Sequence, residues 1–209
     1  MPVPRNRLGL LLLGAFLTLV LYLLLPAAQH EQRLVGTRPD GGKRGQPDVL
    51  FLHGQAFTSK TWEDLGTLAL LAGEGYRAVA IDLPGYGDSP PVETVATAQG
   101  RVAFLDHVLQ ELSMRRPVLV SPSMSGRFAL PFLLARWEQL AGFVPIAPVG
   151  TKDYAAEQYQ QVQTPTLILY GDRDARQRVA VVPDAGHACY LDKPEDFHQA
   201  LLGFLRQLK

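Results

Sequence analysis

Short apolar runs alternate along this chain with longer stretches whose apolar residues recur at helical spacing. The short runs are typical of buried strands; they are Val49–Leu52, Arg77–Asp82, Val118–Val120, Gly142–Ile146, Thr166–Tyr170 and Val179–Val182. The periodic stretches predict helices at Trp62–Leu71, with Thr61 as a cap, and at Val102–Leu112, Phe128–Trp137 and Pro194–Leu208. Strands that alternate with helices predict an α/β fold, a mostly parallel sheet with helices on both faces.

The N-terminal region has a different pattern. Leu8–Leu25 is an uncharged apolar run of 18 residues, which as a helix spans about 27 Å, close to the roughly 30 Å core of a bilayer. We expect a transmembrane anchor at residues 1–28, a Gly-rich and basic linker at 29–47, and a globular domain at 48–209. A cleaved signal peptide is the alternative, although its apolar region is normally only about 7–15 residues long. Basic residues flank the run on both sides, so the membrane orientation is undetermined.

Composition narrows the class of protein. The 209 residues are 47% hydrophobic and 19% charged with no net charge, which favours one domain and argues against nucleic-acid binding. The expected partner is small or uncharged. The single cysteine, Cys189, excludes an intrachain disulfide.

One serine lies where a predicted strand meets a predicted helix. The sequence Ser121-Pro122-Ser123-Met124-Ser125 follows the apolar run at Val118, and a serine at a sharp strand-to-helix turn is typical of a nucleophile elbow. The elbow pattern is G-x-S-x-G, but both glycine positions are serine here. The alternative is a Ser/Pro loop in which Ser123 or Ser125 caps the following helix.

Three kinds of polar residue follow predicted strands in a suggestive order. Ser123 comes first, then Asp172 and Asp174, then His187. In open parallel sheets the chemistry lies beyond the carboxyl ends of the strands. The order Ser, Asp, His is the one that α/β-hydrolases use for nucleophile, carboxylate and base. The residues alone do not decide between Asp172 and Asp174.

Six segments together resemble the α/β-hydrolase superfamily, and within it the group of alpha/beta hydrolase domain-containing protein 14, in its membrane-anchored form. The segments are LFLHGQAF, GYRAVAIDLPGYGDS, VLVSPSMSG, GFVPIAP, TPTLILYGDRD and AGHACYLDKPEDFH. The resemblance covers about Val49 to Lys209, and a Ser-Pro-Ser elbow is itself a mark of the group. It implies the α/β-hydrolase fold and a serine hydrolase acting on a small acyl ester or amide, with no metal or other cofactor. A soluble sister form is associated with removing acetyl groups from lysine.

The resemblance also implies roles for individual residues. Ser123 is the expected nucleophile, His187 the general base, and Asp174 the carboxylate that orients His187. The backbone amides of Gln55 and Met124 are the expected oxyanion hole.

Other polar residues have a structural interpretation. His53 is expected to orient its loop by hydrogen bonding, and Cys189 to be a packed thiol. His107 and His198 lie in predicted helices, where we expect them to face solvent or act as caps.

Two features argue against a working enzyme. His187 comes only 13 positions after Asp174, whereas a parallel crossover needs about a dozen residues between the two strands alone. Either the strand at Val179–Val182 cannot pair in parallel, or Asp174 is displaced. In addition, no strand is predicted before Val49, so the sheet is expected to lack its N-terminal edge strands and one late crossover helix. A membrane-anchored, catalytically impaired scaffold is therefore the alternative function.

Overall fold

The structure, a computed structural model, describes residues 34–36, 45–172, 174 and 181–208. The predicted anchor at residues 1–28 lies outside these residues and stays a prediction. Within the described part of the chain, no helix is both long and apolar enough to cross a membrane.

The main sheet has five strands in the order β1-β3-β2-β4-β5. They are β1 (Leu34–Gly36), β2 (Val49–Phe51), β3 (Ala78–Ile81), β4 (Val118–Pro122) and β5 (Gly142–Ile146). Strands β2 to β5 pair in parallel, in a register that aligns Leu50 with Val79 on one side and with Leu119 on the other. The predicted parallel sheet is confirmed.

Strand β1 corrects the expectation that no strand precedes Val49. Leu34–Gly36 pairs antiparallel with β3 and forms one edge of the sheet. Three residues are too few for a periodic pattern, and the strand exists through its pairing with β3. The linker predicted at residues 29–47 therefore contains a strand.

The other side of the sheet corrects the expectation about the short crossover. Thr166 and Leu169 form parallel bridges with β5, and the chain continues into β6 (Tyr170–Gly171), which pairs in parallel with β7 (Val181–Val182). The final strand thus does take a parallel position, and Asp174 is not displaced by it. With only two residues in each strand, this pairing requires a shorter connection than a full-length strand pair does.

The described part of the chain contains seven α-helices, of which five lie between strands and the last two follow β7. They are α1 (Lys60–Asp64), α2 (Thr67–Gly73), α3 (Ala98–Glu111), α4 (Gly126–Arg136), α5 (Ala156–Gln160), α6 (Cys189–Asp192) and α7 (Pro194–Leu205). The single helix predicted at Trp62–Leu71 is wrong, because Gly66 at φ +72° separates α1 from α2. The N-cap position of α1 is Ser59, not Thr61. In α3 the side chain of Thr97 accepts a hydrogen bond from Gly100 and caps the helix.

Each face of the sheet is buried under its own layer of helices. Alternate strand residues such as Phe51 and Val120 pack with Trp62 and with apolar residues of α2 and α7. Their neighbours, such as Leu50 and Leu119, pack with α3 and α4 on the opposite face. Because strand side chains alternate between faces, burial on both faces requires the continuous apolar runs seen in the sequence. The prediction of helices on both faces is confirmed.

Candidate active site

The site forms where the strand order reverses. From β2 the chain goes to β3 on one side, whereas β4 pairs with the other side of β2. The loops that leave β2 and β4 therefore diverge and leave a crevice at the carboxyl edge of the sheet. His53–Gln55 follows β2, and Ser123 follows β4 directly.

Ser123 occupies the sharp turn itself. Its φ is +50°, a left-handed conformation that costs a non-glycine residue of the order of 1–3 kcal/mol. The chain passes at once into the 3₁₀ turn Ser123–Ser125 and then α4. Val149, in the loop after β5, donates a 3.0 Å hydrogen bond to the Ser123 carbonyl. The strained turn is thus stabilised by a hydrogen bond from a neighbouring loop, as a nucleophile elbow requires.

The two serines in the glycine positions form a hydrogen-bonded pair. Both side chains are fully buried, and Ser121 Oγ lies 3.0 Å from Ser125 Oγ. Ser125 Oγ also donates to the Pro122 carbonyl at 2.8 Å. A hydroxyl has one proton, so Ser121 must be the donor within the pair. Ser125 occupies the N-cap position of α4, as the alternative predicted, but its side chain makes no capping hydrogen bond.

His187 lies between Ser123 and Asp174. Its Nε2 is 2.8 Å from Ser123 Oγ, and its Nδ1 is 2.8 Å from Asp174 Oδ2. An ionised carboxylate only accepts hydrogen bonds, so Nδ1 bears the ring proton and Nε2 accepts from the Ser123 hydroxyl. The Asp174 side chain is 5% exposed and that of His187 is 38% exposed. The structure therefore brings together the three groups that the sequence placed after separate strands.

The backbone just before His187 is held by two other carboxylates. We call residues 184–187 the histidine loop. Asp172 accepts hydrogen bonds from the Asp184 and Ala185 amides at 2.8 and 3.1 Å. Asp192, in α6, accepts from the Gly186 amide at 2.7 Å. Asp172 thus contacts the loop backbone while Asp174 contacts the imidazole, a distinction that the sequence left open. Asp192 was not among the site residues predicted from the sequence.

Gly171 allows β6 to approach the histidine loop closely. A Cβ at this position would collide with the carbonyl oxygens of Ala185 and Gly186. Asp174 lies in the turn that follows, where its amide donates to the Gly171 carbonyl at 3.0 Å. The absence of a side chain at residue 171 therefore allows the turn that contains Asp174 and the loop that presents His187 to lie close together.

His53 connects the ends of β2 and β3. Its Nε2 accepts a 3.0 Å hydrogen bond from the Leu83 amide, and its Nδ1 donates to the Gly54 carbonyl at 2.9 Å. The ring is 1% exposed, and this burial lowers the pKa of His53 below its ordinary value of 6.5. A neutral ring with both nitrogens engaged cannot act as the base. The loop-orienting role predicted for His53 is confirmed.

A cavity of about 170 Å³ opens beside Ser123; we call it the Ser123 cavity. Ser123 and His187 line it together with apolar groups and the loop after β2; the other lining residues are Gly54, Gln55, Ala56, Phe57, Ala188 and Tyr190. Gln55 therefore borders the reacting groups. Met124 directly follows Ser123 and packs partly against the core. The oxyanion-hole role of these two amides stays a prediction.

The remaining candidate residues lie apart from this chemistry. Cys189 is fully buried in the core, and burial raises the pKa of its thiol to about 11, as expected of a packed thiol. His107 is exposed. His198 corrects the prediction of a solvent-facing or capping residue, because it is half-buried and hydrogen-bonded to Thr67 Oγ1 at 2.9 Å. In the described part of the chain, no group of three or more His, Cys, Asp or Glu side chains could hold a metal.

Comparisons with known proteins agree with this architecture. The sequence profile of the alpha/beta hydrolase family matches residues 49–169. Protein ABHD14A of Rattus norvegicus is 47% identical over 239 aligned residues, which cover 98% of this chain and 99% of that protein. The alignment is longer than this chain of 209 residues, so the relative contains residues without a counterpart here.

Two further proteins place the chain within this family. "Putative protein-lysine deacylase ABHD14B" of Rattus norvegicus is 47% identical over 187 residues, which cover 82% of this chain and 89% of that protein. The crystal structure of a "predicted CIB-like hydrolase" from Thermoplasma acidophilum superimposes with a TM-score of 0.73 at 22% identity, covering 85% of this chain and 99% of the other. At that identity the likeness shows the fold alone. The chain therefore belongs to the alpha/beta hydrolase family, in the group that contains ABHD14A and ABHD14B.

Proposed function

We propose that this chain is a serine hydrolase that cleaves a small acyl ester or amide through a covalent acyl-enzyme. The observation that carries the proposal is the continuous hydrogen-bonded series Ser123–His187–Asp174, with both bonds at 2.8 Å. A serine hydroxyl is a weak nucleophile at neutral pH and needs a base within hydrogen-bond reach. His187 meets that requirement, and Asp174 holds the tautomer that leaves Nε2 free to accept the proton.

The first half of the reaction forms the acyl-enzyme. Ser123 Oγ attacks the carbonyl carbon of the substrate while its proton moves to His187 Nε2. The carbonyl oxygen becomes an oxyanion, for which the amides of Gln55 and Met124 are the proposed donors. His187 then gives the proton to the leaving oxygen or nitrogen, whose bond to the carbonyl carbon breaks. Asp174 stabilises the imidazolium that exists between these two proton transfers.

The second half returns the enzyme to its starting state. A water molecule gives one proton to His187 Nε2 as its oxygen attacks the acyl carbon. The bond from that carbon to Ser123 Oγ breaks, and Oγ takes the proton back from His187. The products are the carboxylic acid and the free serine. No step requires a cofactor.

The size of the Ser123 cavity supports a small acyl group. At about 170 Å³ it is well below the roughly 300–1,000 Å³ of pockets for drug-sized ligands. Ala56, Phe57, Ala188 and Tyr190 make its wall largely apolar. The similarity to "Putative protein-lysine deacylase ABHD14B" supports an amide as one form of the substrate.

The catalytically impaired scaffold was suggested by the short segment between Asp174 and His187. That segment does not separate their side chains, which are hydrogen-bonded. No described feature now favours the scaffold over the hydrolase.

A fluorophosphonate probe, which reacts with activated serines, tests the proposal. We expect wild-type protein to be labelled and Ser123→Ala to be unlabelled with an unchanged thermal melt. Ser113→Ala is the matched control, because Ser113 has a similar φ of +52° and is exposed. Labelling should persist in this control. Folded wild-type protein that resists the probe would refute the hydrolase and favour the scaffold.

We also propose that residues 8–25 anchor the protein in a membrane, on the basis of their length and apolar character. Alkaline carbonate extraction of the full chain should leave it in the membrane fraction. Replacing Leu12 and Leu19 with Arg should release it, because arginine at the centre of a spanning helix costs several kcal/mol. A mature protein that begins near residue 28 would instead establish a cleaved signal peptide.

A further inference from the structure

A second cavity also borders His187. It has a volume of about 340 Å³ and is lined by residues 147–153 together with Arg127, Tyr170, Asp174 and His187. We call it the Tyr170 cavity. Ser123 lines the first cavity but not this one. Among the residues that the structure describes, His187 alone borders both.

This arrangement assigns a role to each cavity, on the basis of the proposed hydrolase reaction. The acyl carbon becomes bonded to Ser123 Oγ, so the acyl group must occupy the Ser123 cavity. The leaving atom takes its proton from His187, so the leaving group must pass along the imidazole. The Tyr170 cavity is the other space that His187 lines, and it has about twice the volume of the Ser123 cavity. A small acyl group and a larger leaving group fit this pair of cavities.

The charges in the Tyr170 cavity indicate what kind of leaving group it takes. Arg127 and Lys152 line it, both exposed, and within the described residues neither side chain makes an ion pair or hydrogen bond. Of the two carboxylates in the wall, Asp174 keeps its charge, but it is only 5% exposed and is bonded to His187. The exposed charges of the wall are two cations and one carboxylate, Asp153. The exposed part of the wall therefore attracts an anion more than it attracts a cation.

We propose that the leaving group bears an anionic group, a carboxylate or a phosphate, which Arg127 and Lys152 hold in the Tyr170 cavity. The acyl group stays in the Ser123 cavity. The wall also includes Pro148 and Tyr170, against which a flat apolar unit that joins the scissile bond to the anion can pack. An acylated hydroxy or amino compound with an acidic terminus is the substrate class that results.

Three aryl acetates test this proposal on the full chain. Acetoxybenzoate and acetoxyphenyl phosphate, substituted at the para position, carry the anion, and para-acetoxybenzamide is their neutral counterpart. The comparison is the change in kcat/KM between wild type and Arg127→Gln/Lys152→Gln for each ester, so that differences in leaving-group acidity cancel. Arg115→Gln, which removes an exposed cation that lines neither cavity, is the matched control.

We expect the double variant to lose up to about fivefold in kcat/KM per removed cation on an anionic ester, as for exposed charge pairs. The loss should appear mainly in KM and shrink as salt screens the charges. The neutral ester and the Arg115→Gln control should be unchanged. Whether the benzoate or the phosphate ester responds identifies the anion. The charge-reversed pair Arg127→Glu/Lys152→Glu should lower kcat/KM on the anionic esters further, so that the neutral ester becomes the preferred substrate.

Equal losses on the neutral and anionic esters would overturn the proposal, and so would an unchanged kcat/KM on both anionic esters. Failure of the underlying hydrolase is distinguishable. In that case wild type would cleave none of the three esters, or cleavage would survive Ser123→Ala. A folding defect in the double variant would also lower the rate on the neutral ester, so the refutation applies to a double variant whose thermal melt matches that of wild type.

Discussion

Removing the hydroxyl of Ser125 should destabilise the protein more than removing the hydroxyl of Ser121, although the two face each other. The reason is the direction of the hydrogen bonds. Ser125 Oγ donates to the Pro122 carbonyl at 2.8 Å and accepts from Ser121 Oγ at 3.0 Å. Ser125→Ala therefore leaves the buried Ser121 hydroxyl without its partner and removes one hydrogen bond to the Pro122 carbonyl. Ser121→Ala leaves the donation by Ser125 intact.

The free-energy costs follow from this difference. A buried polar group without a partner costs about 1–3 kcal/mol, and a net hydrogen bond contributes about 0.5–1.5 kcal/mol. Ser125→Ala should lower the free energy of unfolding by about 2–4 kcal/mol, and Ser121→Ala by about 1 kcal/mol. The double variant leaves neither hydroxyl of the pair without a partner and loses the hydrogen bond to the Pro122 carbonyl, at about 0.5–1.5 kcal/mol. Adding Ser121→Ala to Ser125→Ala should therefore stabilise the protein.

Urea unfolding of the two single variants and the double variant measures this cycle. Esterase kcat should fall most in Ser125→Ala, because the pair lies beneath the turn that presents Ser123. Ser113→Ala, at an exposed position with similar φ, controls for serine-to-alanine substitution. The reasoning is refuted if Ser121→Ala costs as much as Ser125→Ala, or if the double variant equals the sum of the single variants.

Three other predictions follow from the remaining contacts. Asp174→Asn should lower kcat by about 10⁴-fold with little change in stability, whereas Asp172→Asn should cost about 1 kcal/mol of stability and reduce kcat only slightly. Kinetics and urea unfolding of both variants distinguish the catalytic role of Asp174 from the structural role of Asp172, and equal losses of kcat would contradict the assignment. Gly171→Ala should cost about 1–3 kcal/mol and lower kcat, because the methyl group displaces the histidine loop; a melting temperature and kcat like those of wild type would refute this. Burial lowers the pKa of His53, so the unfolded state binds more protons and the free energy of unfolding should fall as pH drops below 6.5. Urea titrations from about pH 5 to 8 should show that this free energy depends less on pH in His53→Asn than in wild type, and as much as in wild type in the exposed-site control His107→Asn. Equal pH dependence in wild type and both variants would contradict this prediction.

Much of the fold could be predicted from the sequence because burial on both faces leaves continuous apolar runs. Val118–Val120 and Gly142–Ile146 were recognised as strands for this reason, and both are parallel strands of the sheet. Strand β1 could not be predicted, because three residues carry no period and their pairing with β3 is a tertiary contact. The break between α1 and α2 was missed because the apolar spacing continues across Gly66.

The roles of the two aspartates show the same limit within the site. Asp172 and Asp174 are two residues apart and equivalent in sequence. Their assignment depends on β7 lying parallel to β6, which brings the Asp184 and Ala185 amides to Asp172 and leaves Asp174 facing His187. A sequence pattern does not specify which backbone amides a carboxylate will meet.

By itself, the sequence determined that this protein contains a parallel sheet between layers of helices, because the strand and helix periods are local properties. It also determined that a serine, a carboxylate and a histidine follow strands, because their positions along the chain can be read directly. Only the tertiary structure decided which carboxylate faces the imidazole, that the two buried serine hydroxyls pair in place of glycines, and that a short connection still joins the three groups. These outcomes depend on distances between segments remote in sequence, which local periodicity does not encode.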